Sequence, residues 1–138
     1  MTSPTNDYNR EIIDTFRKHG GKMPNDAPLL LLTTRGAKSG QSRVNPLAFT
    51  RDGDNYVVLA SKGGAPTNPD WYYNVVANPD VTVEVGGQEF PAQATVTEGT
   101  ERERLFNQHV GKMPNFGEYQ TKTTRPIPVI VLEPEAAS

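Results

Sequence analysis

Residues 35–46 read RGAKSGQSRVNP, with three cationic side chains (Arg35, Lys38 and Arg43) among two glycines and two serines. Glycine lets backbone N–H groups approach an anion closely, and arginine and lysine add charge-assisted hydrogen bonds to phosphate oxygens. Residues 27–51 add a fourth cation, Arg51, and contain no aspartate or glutamate. On residue types alone the stretch is either a solvated turn or an anion site. It is not a Walker A loop, because Lys38-Ser39 precedes Gly40 instead of following a second spaced glycine.

A second stretch, SKGGAPTNPDWYYN at residues 61–74, has adjacent glycines and Lys62 directly after an apolar run. Paired glycines free the backbone to approach a flat ligand, and Lys62 adds another phosphate partner; the plainer reading is a flexible connector. Nucleophilic and metal chemistry find little support. The two histidines, His19 and His109, stand 90 positions apart, cysteine is absent, and no serine sits in G-x-S-x-G. If the protein is an enzyme, a bound cofactor carries the reaction.

The elements that must position these residues are short. YNREIIDTFRKHGG predicts an amphipathic helix stopped by Gly20-Gly21, with Ile12, Ile13 and Phe16 on one stripe. LLLLTT and VNPLAFT predict strands on either side of the basic loop, the second placed at an edge or bulge by Pro46. Asp52-Gly53-Asp54 predicts a hairpin turn into YVVLAS. Next come a helix capped by Asn68 with Pro69 at its first position, and a hairpin, VTVEV to QEFPAQATV, whose Pro91 suggests an edge or a bulge. A helix with a Thr100/Glu103 capping box and an end at Gly111 leads to a last strand, IPVIVLE. Hairpins dominate, so the expected architecture is mainly β (α+β): a six-stranded β-barrel with flanking helices, residues 1–24 forming an N-terminal helix and tail and residues 25–138 the barrel domain. GKMPN occurs at residues 21–25 and again at 111–115, read as shared helix-exit chemistry.

At 138 residues and a net charge of -2, the composition predicts one domain and argues against a nucleic-acid partner. The longest apolar run is four leucines, far short of the roughly 20 residues of a membrane-spanning helix, which sets the expectation of a soluble, cytoplasmic protein. The first helix, rimmed by Arg10, Arg17, Lys18 and Lys22, reads either as packed on its own barrel or as a peripheral membrane contact.

The combination of G-x-K-[ST]-G-x-x-R-x-N-P-L, A-S-K-G-G and N-P-x-W-Y-x-N, continued by RPIPVIVLEP, resembles the deazaflavin-dependent nitroreductase family, reductases that use coenzyme F-420 (8-hydroxy-5-deazaflavin). The resemblance implies an FMN-binding-protein-like split β-barrel. It also implies a cofactor site of Arg35, Lys38, Ser39, Gly40, Arg43 and Asn45 with Leu59, Ala60, Ser61, Lys62, Gly63 and Gly64, closed by Trp71 and Asn74. The cations would hold the phosphate and the oligoglutamate tail, and the backbone after Leu59 would lie beside the ring. Many family members carry Arg where Ala37 stands, which leaves tail recognition open.

The family implies hydride transfer from the reduced cofactor to electron-poor acceptors such as quinones, enones, lactones and nitro compounds, with no metal. Ser61 and Tyr119 are the candidate catalytic residues, Tyr119 as proton donor, and Met113, Phe116 and Tyr119 the candidate substrate wall on a variable loop. The alternatives are a non-catalytic barrel binding deazaflavin or a fatty acid, and a relative using FMN. The protein is expected as a monomer or homodimer.

Overall fold

The structure is a computed structural model that describes residues 7–24 and 28–135. Its helices are α1 (Asp7–Lys18), α2 (Asp70–Ala77), α3 (Gly99–Lys112) and α4 (Asn115–Thr121). Its strands are β1 (Leu29–Arg35), β2 (Ser42–Ala48), β3 (Thr50–Asp52), β4 (Asn55–Leu59), β5 (Asp80–Val85), β6 (Gln88–Val96) and β7 (Val129–Pro134). All strand pairings are antiparallel, in the order β2-β1-β5-β6-β7-β4-β3.

Strands β1 and β4 of the curled sheet are buried on both faces, which explains their unbroken apolar runs. In β1, Leu30 and Leu32 point into the half-barrel, where they meet Val58, Trp71, Val83, Ile130 and Leu132. Leu31 points the other way, onto Ile13 and Phe16 of α1. Strand β4 divides in the same manner, with Val58 inward and Val57 and Leu59 outward against Leu105 and Phe116. Alternate side chains leave opposite faces of a strand, so two covered faces require apolar residues at successive positions. Each such Leu or Ile contributes about 1.5–3 kcal/mol of burial.

The sheet has seven strands where six were expected. VNPLAFT is not one strand: Ala48 is its last residue paired with β1 (to Leu29), and Thr50 is its first paired with β4 (to Val57). The chain changes partners at Phe49, so one predicted strand serves both ends of the sheet. Pro46 lies on β2, at an end of the strand order, as expected. Pro91 does not mark an edge, since β6 lies between β5 and β7. Its carbonyl accepts the Glu135 N–H at 3.0 Å, so its missing donor faces the fraying end of β7 and interrupts little of the ladder.

Helix α1 ends as predicted: the Gly21 N–H reaches back to the Phe16 carbonyl at 2.9 Å, with both Gly20 and Gly21 at positive φ. Gly21 then lies so close to Gly87 of the β5–β6 turn that a Cβ on it would overlap the Gly87 nitrogen. Arg17 adds a two-pronged ion pair to Glu84, at 3.2 and 2.8 Å. The apolar stripe of α1 is thus spent on its own sheet, with Ile13 and Phe16 buried.

Three predicted caps are absent. Asn68 does not cap α2, because its side-chain oxygen is taken by Arg125. The Thr100/Glu103 box does not form, and Glu103 instead pairs with Arg102 at 2.7 Å. Gly111 lies inside α3, so the two GKMPN segments differ: Gly21 makes a left-handed helix exit and Gly111 does not, while Asn25 falls outside the described residues.

Candidate active site

The basic loop, residues 36–41, is a tight turn between β1 and β2. It is closed by Gly36 N–H to Gln41 O at 2.7 Å and Gly40 N–H to Gly36 O at 2.9 Å, and Ser39 Oγ accepts the Gln41 N–H at 3.2 Å. Helix α2 fixes its position. Buried Asn74 donates from Nδ2 to Thr34 Oγ1 at 3.1 Å and accepts the Ala37 N–H on Oδ1 at 3.0 Å. Arg35, Lys38, Ser39 and Gly40 are exposed, whereas Arg43 and Asn45 are half-buried on β2.

The ion pairs among the described residues are Arg17–Glu84, Arg102–Glu103, Arg104–Asp52 and Arg104–Glu101. None uses Arg35, Lys38, Arg43 or Lys62. Arg43 reaches only Gln41 Oε1 and its neighbour's carbonyl, at 3.5 and 3.4 Å, and Lys62 reaches Thr67 Oγ1 at 3.3 Å. Among the described residues the loop therefore keeps its positive charge free of carboxylates, a donor set suited to an anion. Arg51 is not part of it, being stacked on Tyr56 with its Cζ 4.1 Å from the ring centroid.

The second stretch leaves β4 at Leu59 and forms a single 3-10 turn, Lys62–Gly64. Lys62 has a φ of 49°, the sole positive value at a non-glycine among the described residues, and Gly64 has 84°. A Cβ on Gly64 would lie 2.7 Å from the Tyr119 carbonyl and 2.9 Å from Lys122 Cβ, so this turn requires glycine both for its conformation and for its space. Ala60, Ser61 and Gly64 are buried. The Arg125 guanidinium donates to the carbonyls of Ala60 (3.2 Å), Ser61 (2.8 Å) and Ala65 (2.9 Å) and to Asn68 Oδ1 (2.8 Å).

Beside this turn the expected variable loop is helix α4. Tyr119 is half-buried, stacks edge-on against Phe116 with centroids 5.3 Å apart, and its hydroxyl accepts from Asn115 Nδ2 at 3.3 Å. Met113 is half-buried at the end of α3. Two expected site residues face packed cores: Phe116, 8% exposed, packs with Leu59 and Leu105, and Trp71, 4% exposed, packs inside the barrel. Tyr119 and Met113 are the wall residues with surface to offer.

Behind α4, His109 is fully buried. Its Nδ1 lies 2.9 Å from Thr50 Oγ1, its ring meets Phe116 edge-on at 4.6 Å, and Nε2 is without a hydrogen-bond partner. Burial pushes its pKa down to about 4, so the imidazole is neutral at pH 7.

Asn74 and the 3-10 turn bring the two predicted stretches to α2, whose N-terminal side follows the turn and whose Asn74 holds the loop. Arg125 was missed by the sequence reading. Its one signal was its place in RPIPVIVLEP, and its partners are mostly backbone carbonyls, which leave no mark on composition or spacing. Two surface grooves of about 230 and 260 Å³ lie at the exit of α1, lined by residues such as Phe16, Glu84, Leu29 and Phe49. They share no residue with the loop, the turn or α4.

An antiparallel half-barrel carrying an unneutralised basic loop and a bulk-free glycine turn, joined by one helix, defines a cofactor-binding split barrel. The family described as F-420H(2)-dependent quinone reductase matches residues 8–134. A quinone reductase of that description from Mycobacterium tuberculosis is 42% identical over 118 residues, covering 82% of this chain and 78% of the relative. A solved structure of an F-420H(2)-dependent reductase is 47% identical with a TM-score of 0.72, covering 77% of this chain and 94% of that one. Another, described as a domain-swapped dimer, is 41% identical with a TM-score of 0.73, covering 92% and 98%. A haem storage protein from Vibrio cholerae, 20% identical with a TM-score of 0.59, shares the fold alone. The chain belongs to the F-420H(2)-dependent quinone reductase family. It is accordingly an oxidoreductase with coenzyme F-420 as its cofactor.

Proposed function

We propose that the protein transfers a hydride from reduced F-420 to a quinone-type acceptor, with conjugated enones and lactones as further acceptors and nitro compounds as poorer ones. The observation that carries the site assignment is the set of cations, Arg35, Lys38, Arg43 and Lys62, that no carboxylate among the described residues neutralises. They fit the phosphate and acidic tail of this cofactor, and the side-chain-free backbone around Gly64 fits a flat ring.

When bound, the cofactor supplies the hydride. The chain's own part is orientation and exclusion of water. Lys38 and Arg43 hold the anionic end, with Ser39, Gly40 and Asn45 beside them. Leu59, Ala60, Ser61, Gly63 and Gly64 present backbone to the ring, and Asn74 keeps the loop in place. Ser61 and Tyr119 are the hydroxyls available to stabilise charge on the reduced acceptor, with Tyr119 and Met113 bordering its binding space. The burial of Ile13 and Phe16 favours α1 as a helix packed on its own barrel over a membrane contact. A homodimer is supported by the relative described as a domain-swapped dimer.

The test mixes the full chain with reduced F-420 and, separately, menadione, an enone and a nitroimidazole, following cofactor oxidation. Oxidation that stays at the enzyme-free rate with every acceptor defeats the proposal. Faster turnover with NADPH as donor and FMN added as cofactor would point to the FMN-using reading.

A further inference from the structure

We propose that Arg125 is the positioning residue that shapes the turn at residues 62–64 for the cofactor's ring. This rests on the functional reading above. The guanidinium reaches two acceptors before the turn, the carbonyls of Ala60 and Ser61, and two after it, the Ala65 carbonyl and Asn68 Oδ1. One rigid planar group thus clips both ends of a short loop. The loop needs such a clip, because it holds Lys62 at a φ of 49°, a conformation that persists in a non-glycine residue only where the surroundings impose it.

Arg125 is itself firmly mounted. Its carbonyl accepts from Gln120 Nε2 at 2.8 Å, and its N–H donates to Thr123 Oγ1 at 3.3 Å. Gln120 Oε1 in turn accepts from the Ile127 N–H at 3.0 Å and from Arg102 Nη2 at 3.1 Å. The route runs from α3 through α4 to the turn, and α4 is the helix that carries Tyr119. Among the described residues no carboxylate pairs with the Arg125 guanidinium, whose partners are backbone carbonyls and Asn68 Oδ1 beside the cofactor's expected place.

The experiment measures F-420 affinity, the KM for menadione and the thermal midpoint for the full chain and for Arg125→Ala, Arg125→Lys and Leu105→Ala. Leu105 is buried against β4 and β7, beside Leu59 and Phe116, and is no part of the Arg125 clip, so its variant reports lost packing with the clip's hydrogen bonds retained. Displacement of a positioned group commonly costs up to a hundredfold, so Arg125→Ala is expected to raise the Kd for F-420 by roughly ten- to hundredfold. Arg125→Lys should recover only part of this, because one ammonium cannot reach acceptors on both sides of the turn.

Millimolar guanidinium should restore affinity to Arg125→Ala, and the KM for menadione should stay within about twofold. Wild-type affinity in either Arg125 variant overturns the proposal, as does an equal loss in Leu105→Ala at a matched midpoint. If Arg125→Ala fails to fold, Arg125→Lys carries the same test. Failure of the wild-type chain to bind F-420 would instead overturn the functional reading, so the two failures are distinguishable.

Discussion

The side chain of Asn74 accepts the Ala37 N–H at 3.0 Å, tying a helix on one side of the half-barrel to the middle of the basic loop. With its second bond to buried Thr34, this amide holds the loop through α2. Asn74→Leu should leave Thr34 Oγ1 and the Ala37 N–H unpaired, lowering stability by about 1–3 kcal/mol and weakening F-420 binding together. Urea unfolding alongside cofactor titration checks this. If stability falls while affinity is unchanged, the amide does not position the loop for the cofactor.

Charge reversal probes the loop directly. Lys38→Glu and Arg43→Glu should each raise the Kd for F-420, and the ratio to wild type should shrink as salt approaches about 1 M, where screening acts over roughly 3 Å. Affinity measured at two ionic strengths checks it. A ratio that does not change with salt would mean the loop acts by shape and not by charge.

The strands and the loop between β1 and β2 were legible because burial on two faces writes itself as a continuous apolar run, and turns at Gly53 and at Gly86-Gly87 demand positive φ. What was not legible depended on partners far along the chain. The switch at Phe49 follows from which strands accept β2 and β3, and nothing in VNPLAFT announces it. Asn68 looked like a cap and became an acceptor for Arg125, whose importance comes from carbonyls that every residue carries. Helix α4 is seven residues long with Gly117 inside it, too short for an amphipathic period to show.

Gly64 offers a sharper steric test. Gly64→Ala adds a methyl group that meets the Tyr119 carbonyl at 2.7 Å while φ stays positive, so the turn must lift away from α4. The expected cost exceeds roughly 1 kcal/mol, with a loss of cofactor affinity. Gly53→Ala is the control: its φ is also positive, but no atom lies within 4 Å of the added carbon. Equal effects at both positions would show that backbone conformation alone matters.

His109 predicts an acid limit. Its folded pKa, pushed down to about 4, lies below the ordinary value of 6.5, so the unfolded chain binds the proton more readily between the two. Stability is therefore fully present above about pH 6.5 and declines as pH falls toward 4, by roughly 3 kcal/mol in total. Thermal midpoints from pH 7 to 4 should show this slope, and His109→Gln should flatten it. A slope that survives the substitution would assign acid sensitivity to other groups.

The pairing of β4 with β7 also bears on synthesis. On the side away from β3, Tyr56 to Leu59 pair with Leu132 to Val129, and the Arg125 that clips the neighbouring turn lies just before that strand. Contacts so distant along the chain carry a larger loop-closure cost than the local hairpins β1–β2 and β5–β6. During synthesis the residues of the basic loop and Asn74 are made well before Arg125, so the two halves of the site are complete as sequence at different times.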